Sequence, residues 1–145
     1  ARDLMRRAGV DHLADRDITQ ASGGQLQRVG ICRALINDPT VVFADEPTGA
    51  LDSAATDDVL RLLHTIHDDG TTLATVTHDP AVAAHAERVL AMRDGHIVGE
   101  LVLGTVKPDD SDALAVRREQ ITAWLMATTT AVAAHADVTS DSERP

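Results

Sequence analysis

Two carboxylates and a histidine close two apolar runs. Val41-Val42-Phe43-Ala44 is a continuous apolar stretch of strand length that ends at Asp45-Glu46, and Thr72-Leu73-Ala74-Thr75-Val76-Thr77 ends at His78-Asp79-Pro80. Open α/β sheets bind ligands in the crevice at the carboxyl ends of their strands, so acids and an imidazole placed there face a ligand. Successive side chains diverge, which lets the two acids serve different purposes. Asp45 suits the water shell of Mg²⁺, and Glu46 suits accepting a proton from an attacking water. Read alone, Asp45-Glu46-Pro47-Thr48-Gly49 equally describes a polar turn, and His78 a hydrogen-bonded turn residue. Together, the three placements converge on one edge.

A third group, Ala21-Ser22-Gly23-Gly24-Gln25, stands directly before an amphipathic stretch. Two successive glycines let the backbone come close to a ligand, and the first amides of a helix form a site for anions. Ser22 caps the helix or donates to a phosphate oxygen. By itself the pentapeptide reads as an ordinary Ser-Gly cap. Weaker candidates have plainer readings. His64 and His67, with Asp68 and Asp69 beyond, lack a further ligand nearby in sequence and read as solvated helix residues. Cys32 falls on an apolar stripe and reads as core. Arg28 and Arg33 read as structural ion-pair partners.

The elements that must position these groups follow from periodicity and turn chemistry. Arg2 to Val10 reads as a short helix, and Asp11 to Ala21 as polar and irregular. From Gln25, Leu26, Val29, Cys32 and Ile36 recur at helical spacing until Asn37-Asp38-Pro39 stops them. The run at Val41 reads as a strand covered on both faces, as in a parallel sheet. A helix over Ser53 to Asp68 has Val59, Leu62, Leu63 and Ile66 as its buried stripe and Gly70 as its stop. After the strand at Thr72 comes a short alanine-rich helix to about Ala86. Val89–Met92 and His96–Gly99 then flank Arg93-Asp94-Gly95, a tight-hairpin signature. Residues 111–136 favour helix, with Arg117 and Arg118 interrupting the stripe of Leu114, Ile121 and Leu125. Trp124, Leu125 and Met126 are free to dock on the domain or on a partner. Ser140 to Pro145 reads as disordered.

Composition bounds the function. The chain has 145 residues, 43% of them hydrophobic and 25% charged, in the range of one soluble globular domain. Thirteen basic residues against twenty-three acidic ones give a formal charge of −10, which argues against a protein built to grip a phosphate backbone. With Phe43 and Trp124 as its aromatics, the chain has no base-stacking platform. One cysteine fits a reducing compartment. No signal peptide or membrane-spanning run is visible, so a cytosolic location is expected.

Four segments in order resemble one family. Ala21 to Arg28 resembles the signature motif of ATP-binding-cassette ATPases, with Ala in place of the usual first Leu. Val41 to Glu46 is similar to that family's Walker B strand, Gly49-Ala50-Leu51-Asp52 to its D-loop, and Thr77-His78-Asp79 to its switch-histidine loop. The wording Asp45-Glu46-Pro47-Thr48-Gly49-Ala50-Leu51-Asp52 is similar to the macrolide-export and lipoprotein-release branch. The resemblance implies that Asp45 holds the Mg²⁺ shell, Glu46 is the general base and His78 contacts the γ-phosphate of ATP. It also implies that Ser22, Gly23, Gly24 and Gln25 meet the ATP of a second, head-to-tail subunit, and that Asp52 couples the two sites.

The family's phosphate loop, G-x-x-x-x-G-K-[ST], has no counterpart here. Gly99 and Gly104 have its spacing, but Thr105 stands where the lysine belongs, Lys107 comes two residues late, and Pro108 follows instead of a helix. The expected fold is therefore α/β: a partial P-loop NTPase (RecA-like) parallel sheet with flanking helices and a terminal β-hairpin, lacking the P-loop half. Residues 1–106 would be the C-terminal half of a nucleotide-binding domain, and residues 107–145 a helical or disordered tail. The implied function is that of a truncated ATP-binding subunit, coupling ATP hydrolysis to transport through a separate transmembrane permease. It would sit in the cytoplasm, against the inner face of the plasma membrane when assembled. Without the phosphate loop the chain alone should not hydrolyse ATP, and a strand deprived of its neighbour should leave an apolar edge open. A different class of reading is a non-catalytic module that supplies a signature motif to a partner's ATP site. A nucleic-acid or ribosome-acting relative is disfavoured by the charge, the lack of zinc-type cysteines and the Pro-Thr-Gly wording after Glu46.

Overall fold

The apolar periodicities become helices and strands in the expected order in a computed structural model, which describes residues 1–141. α1 spans Arg2–Arg7, and two short 3-10 turns at Asp11–Leu13 and Ile18–Gln20 occupy the segment expected to be irregular. α2 (Gly23–Leu35), β1 (Val41–Asp45), α3 (Ser53–Asp68) and β2 (Thr72–Val76) follow. Then come α4 (Pro80–Ala83), β3 (Arg88–Arg93), β4 (His96–Val102) and α5 (Ser111–Asp141). The chain divides into two compact units, Ala1–His78 and the residues from Asp79 onward.

In the first unit β1 and β2 pair in parallel, Val41 opposite Thr72 through Asp45 opposite Val76, with α3 as the connection between them. Parallel neighbours need such a crossover, and α3 satisfies it with a buried stripe of Val59, Leu60, Leu63 and Ile66. These residues pack with Ile31 of α2 and with Leu35, Leu51 and Leu73. A second cluster joins Cys32 to Ala8 and Val10 at the end of α1. Cys32 is therefore core, as its spacing indicated, and burial pushes its thiol pKa up. Arg28 pairs with Asp58 of α3 at 3.5 Å.

Of the stripe expected on α2, Cys32 is buried and Val29 packs against its cluster, but Leu26 is 39% and Ile36 51% exposed, and Ile31 is buried instead. α2 packs against both α1 and α3, so its inward surface spans two directions and no single spacing describes it. Nor is β1 covered on both faces. Val41 and Phe43 line one face with Val76, and Phe43 is 82% exposed. The helices cover the opposite face, where Leu73 joins the core.

In the second unit β3 and β4 form the expected hairpin, Arg88 opposite Val102 through Arg93 opposite His96, with a bulge at Ala91/Met92. Asp94 and Gly95 both have positive φ, 49° and 78°, as a two-residue turn of the hairpin hand requires. Asp110 Oδ1 accepts from Ala113 N at 3.0 Å and caps α5. That helix lies on the hairpin. A Cβ at Gly99 would stand 2.9 Å from Trp124 Cζ2, so Gly99 is a packing glycine inside β4 and not part of a phosphate loop. Trp124 thus docks within its own unit, while Met126 is 67% exposed.

Arg117 does not interrupt the docking face of α5. Its guanidinium donates to the carbonyls of Ala84, Ala86, Leu103, Gly104 and Thr105 at 2.7–3.3 Å. Arginine's forked donors reach several chain-end carbonyls at once, which an apolar side chain cannot do. Arg118 is exposed, as a surface arginine should be. The helix runs on to Asp141, beyond its expected end; the disorder expected at the terminus otherwise concerns residues 142–145, outside the described residues.

Candidate functional site

The candidate residues gather in two groups, one at the carboxyl ends of the strands and one at the starts of α2 and α3. At the strand ends, Asp45 is the last residue of β1 and is exposed. Glu46 follows it with φ 44°, a left-handed conformation rare for a side chain with a Cβ. Its neighbours hold it there. Glu46 N donates to Val76 O at 2.9 Å, extending the β1–β2 ladder, and Glu46 O accepts from Gly49 N at 3.1 Å. An outlier held from several directions is a mark of a functional position.

The Glu46 carboxylate turns over the end of β2. Oε1 accepts from the His78 main-chain N–H at 2.9 Å and lies 2.6 Å from His78 Nδ1, while Oε2 accepts from Thr77 Oγ1 at 3.2 Å. A carboxylate only accepts, so Nδ1 carries the proton in this contact. The hydrogen bond from the His78 ring holds the Glu46 carboxyl below the usual carboxylate range, against partial burial that raises it. The His78 amide, the Thr77 hydroxyl and the charge of His78 add to the lowering. The glutamate side chain is 35% exposed and the histidine 87%. Glu46 and His78 meet at one edge, as their places at the ends of two apolar runs predict, whereas Thr77 stands in the segment similar to the switch-histidine loop without a role implied for it. The signal available was its place directly before His78 at the end of a strand paired with β1.

At the helix starts, Ser22 Oγ accepts from Gln25 N at 3.3 Å and Gln25 Oε1 accepts from Ser22 N at 2.9 Å, a reciprocal capping box. The serine hydroxyl hydrogen is left to donate outward. Gln25 Nε2 also lies 3.3 Å from His12 Nε2. Asp52 caps α3, its Oδ1 accepting from Ala55 N at 2.8 Å. Gly24 is buried, and a Cβ on it would stand 2.8 Å from the Cβ of Ala55. The approach that Gly24 permits is thus that of α3, whereas Ser22 and Gly23 remain exposed. Ala55, which sequence reading passed over, is the small residue that completes this crossing. The turn from Glu46 to Asp52, with Leu51 N bonded to Thr48 O at 3.1 Å, joins the two groups.

Among the described residues no group of three or more His, Cys, Asp or Glu is placed to hold a metal ion. A cavity of about 330 Å³ lined by Leu4, Cys32, Leu62, Thr40 and Thr71 opens at the amino ends of β1 and β2, away from the candidate residues. No helix among the described residues is long and apolar enough to cross a membrane.

Comparison with known proteins points one way. The family model described as ABC transporter matches residues 1–49, which include the Ser22 turn, the strand ending at Asp45, and Glu46. The chain is 54% identical over 101 residues to a probable export ATP-binding/permease protein MacB of Pseudomonas entomophila, covering 69% of this chain and 15% of that protein. It is 54% identical over 98 residues to the macrolide export ATP-binding/permease protein MacB of Rhodospirillum rubrum, covering 68% and 15%. Among solved structures, the dimeric bacterial ABC transporter cassette MJ0796 superposes with a TM-score of 0.61 at 40% identity, covering 72% of this chain and 46% of that one. The same cassette bound to ADP and Pi, in a post-hydrolysis state, gives 0.62 at 39% identity. The chain thus spans about 15% of the length of the curated relatives it matches.

Proposed function

This chain belongs to the ABC transporter ATPase family, and from that membership we infer that it is the part of an ATP-hydrolysing subunit that supplies the catalytic base and the signature turn. The observation that carries the reading is the Glu46 carboxylate held at the carboxyl ends of β1 and β2 by Thr77 and His78. In this reading ATP is the substrate, Glu46 takes the proton of the attacking water and His78 engages the γ-phosphate. Bases work best with a pKa near the working pH, and the His78 hydrogen bond lowers that of Glu46. In this reading the His78 ring moves from Oε1 to the phosphate, and at 87% exposed its side chain has room to do so.

Asp45 fits a role toward Mg²⁺. That ion keeps most of its waters and is held by one or two carboxylates together with substrate phosphates, so a single exposed acid at the strand end suffices. When bound, Mg²⁺ would neutralise charge on the β- and γ-phosphates. Ser22, Gly23, Gly24 and Gln25 open α2 toward the ATP of a second subunit, with Ser22 and Gly23 exposed to meet it, and Asp52, which caps α3, couples the two sites. Residues 1–106 form the C-terminal half of the nucleotide-binding domain in this reading. The driven partner is a permease, which the relatives' names join with the ATP-binding part in one protein. The working location is the cytoplasmic face of a membrane.

The reading is tested by ATP turnover. In the assembled ATPase, Glu46→Gln is expected to abolish hydrolysis while nucleotide binding persists. The 145-residue chain alone, which contains no G-x-x-x-x-G-K-[ST] loop, is expected to release no phosphate above its own Glu46→Gln control. Turnover by the wild-type chain above that control refutes the second expectation, and an assembled Glu46→Gln enzyme of undiminished activity refutes the first.

A further inference from the structure

Glu46 is held by two residues, and the reading above gives a role to only one of them. His78 makes both of its contacts to Oε1, through its main-chain N–H and through Nδ1. Contacts to a single oxygen leave the carboxylate able to pivot about it. The second oxygen, Oε2, accepts from Thr77 Oγ1, and this contact fixes the carboxylate plane. Thr77 is well suited to that task. Its branched Cβ restricts χ1, so its hydroxyl has few alternative positions. It follows Val76, whose carbonyl accepts from Glu46 N, so hydroxyl and carboxylate are mounted on directly paired backbone.

We propose that Thr77 is a positioning residue that sets the plane of the Glu46 carboxylate through its hydrogen bond to Oε2. The proposal rests on the ATPase reading for its consequence, but not for its geometry. If the His78 ring leaves Oε1 for a phosphate oxygen, the His78 main-chain N–H still holds Oε1 and Thr77 still holds Oε2, so the carboxylate keeps its plane while losing the donor that most lowers its basicity. Thr77 acts through Glu46 and touches no reacting atom.

Two measurements test it. In the whole 145-residue chain at one fixed neutral pH, the ¹³C signal of the Glu46 side-chain carboxyl should move in Thr77→Val and in Thr77→Ala, and keep its wild-type position in Thr77→Ser. A signal unmoved in both Val and Ala variants overturns the contact. In the assembled ATPase, Thr77→Val should lower kcat about tenfold at unchanged KM for MgATP, the kind of loss a misaimed catalytic group produces. Thr77→Ser should restore kcat. A loss expressed in KM, or a kcat that Thr77→Ser fails to restore, overturns the positioning role. Should the assembled wild type and Glu46→Gln hydrolyse ATP equally, the ATPase reading falls, and the carboxyl signal still decides whether Thr77 holds Glu46.

Discussion

At the residue scale, Glu46 is tied at its amide, its carbonyl and both carboxylate oxygens. Its carboxyl is held below the usual range, chiefly by the His78 ring. A lowered folded-state pKa stabilises the fold fully above the unfolded carboxylate value, and that stabilisation is lost as pH falls through the folded value. Glu46→Gln is therefore expected to shrink the difference in thermal midpoint between neutral and acid solution; an unchanged acid limb counts against this. Gly24 gives a second residue-scale prediction. A methyl group added there would stand 2.8 Å from Ala55 Cβ, so Gly24→Ala overpacks the α2–α3 crossing and should cost about 1–3 kcal/mol in denaturant unfolding. Adding Ala55→Gly should recover part of that loss, because the clash is between those two positions. Purely additive costs would show that the crossing is not the cause.

At the element scale, α5 shows how a charged residue can sit on a docking face. Ile121 is 1% exposed, Trp124 lies against Gly99, and Arg117 binds carbonyls at the ends of α4 and β4. Those carbonyls end regular elements and have no ladder partner beyond them, so a cation with several donors satisfies what an apolar residue would strand. Arg117→Ala is expected to destabilise the second unit by about 2–3 kcal/mol, the worth of hydrogen bonds to a charged group. Arg117→Lys should recover little, since an ammonium lacks the planar fork. Hydrogen exchange of the hairpin amides measures this, and protection unchanged in Arg117→Ala would refute it.

At the scale of the whole molecule, each unit presents apolar side chains to solvent. Phe43, Val41 and Val76 do so in the first unit, and Met92, Ile97 and Val102 in the second. Exposed apolar surface costs roughly 25 cal/mol per Å², and clustered exposure favours association. A formal charge of −10 opposes that association over long range, but salt screens it. The purified chain is expected to self-associate with rising concentration and salt, and Phe43→Ser to shift it toward monomer, as read by sedimentation velocity. A monomer that is unaffected by salt and melts in one sharp transition contradicts this.

The helices, the two strands of the first unit, the hairpin and the edge that gathers Asp45, Glu46 and His78 were all legible along the chain. Each depends on local facts: apolar spacing, Asp-Gly turn chemistry, or which residue ends a run. Contacts between distant segments were not legible. The rotation of α2 toward two neighbours, the burial of Gly24 under Ala55, the carbonyls around Arg117 and the open face at Phe43 depend on which element lies alongside which. The hand of Thr77 on Glu46 is of the same kind, since the two residues are thirty-one positions apart and meet only because β1 and β2 pair in register. Composition and spacing determined which elements form and which residues cap the strands. Packing alone decided what each of those residues touches, because side-chain partners are set by three-dimensional proximity that periodicity does not encode.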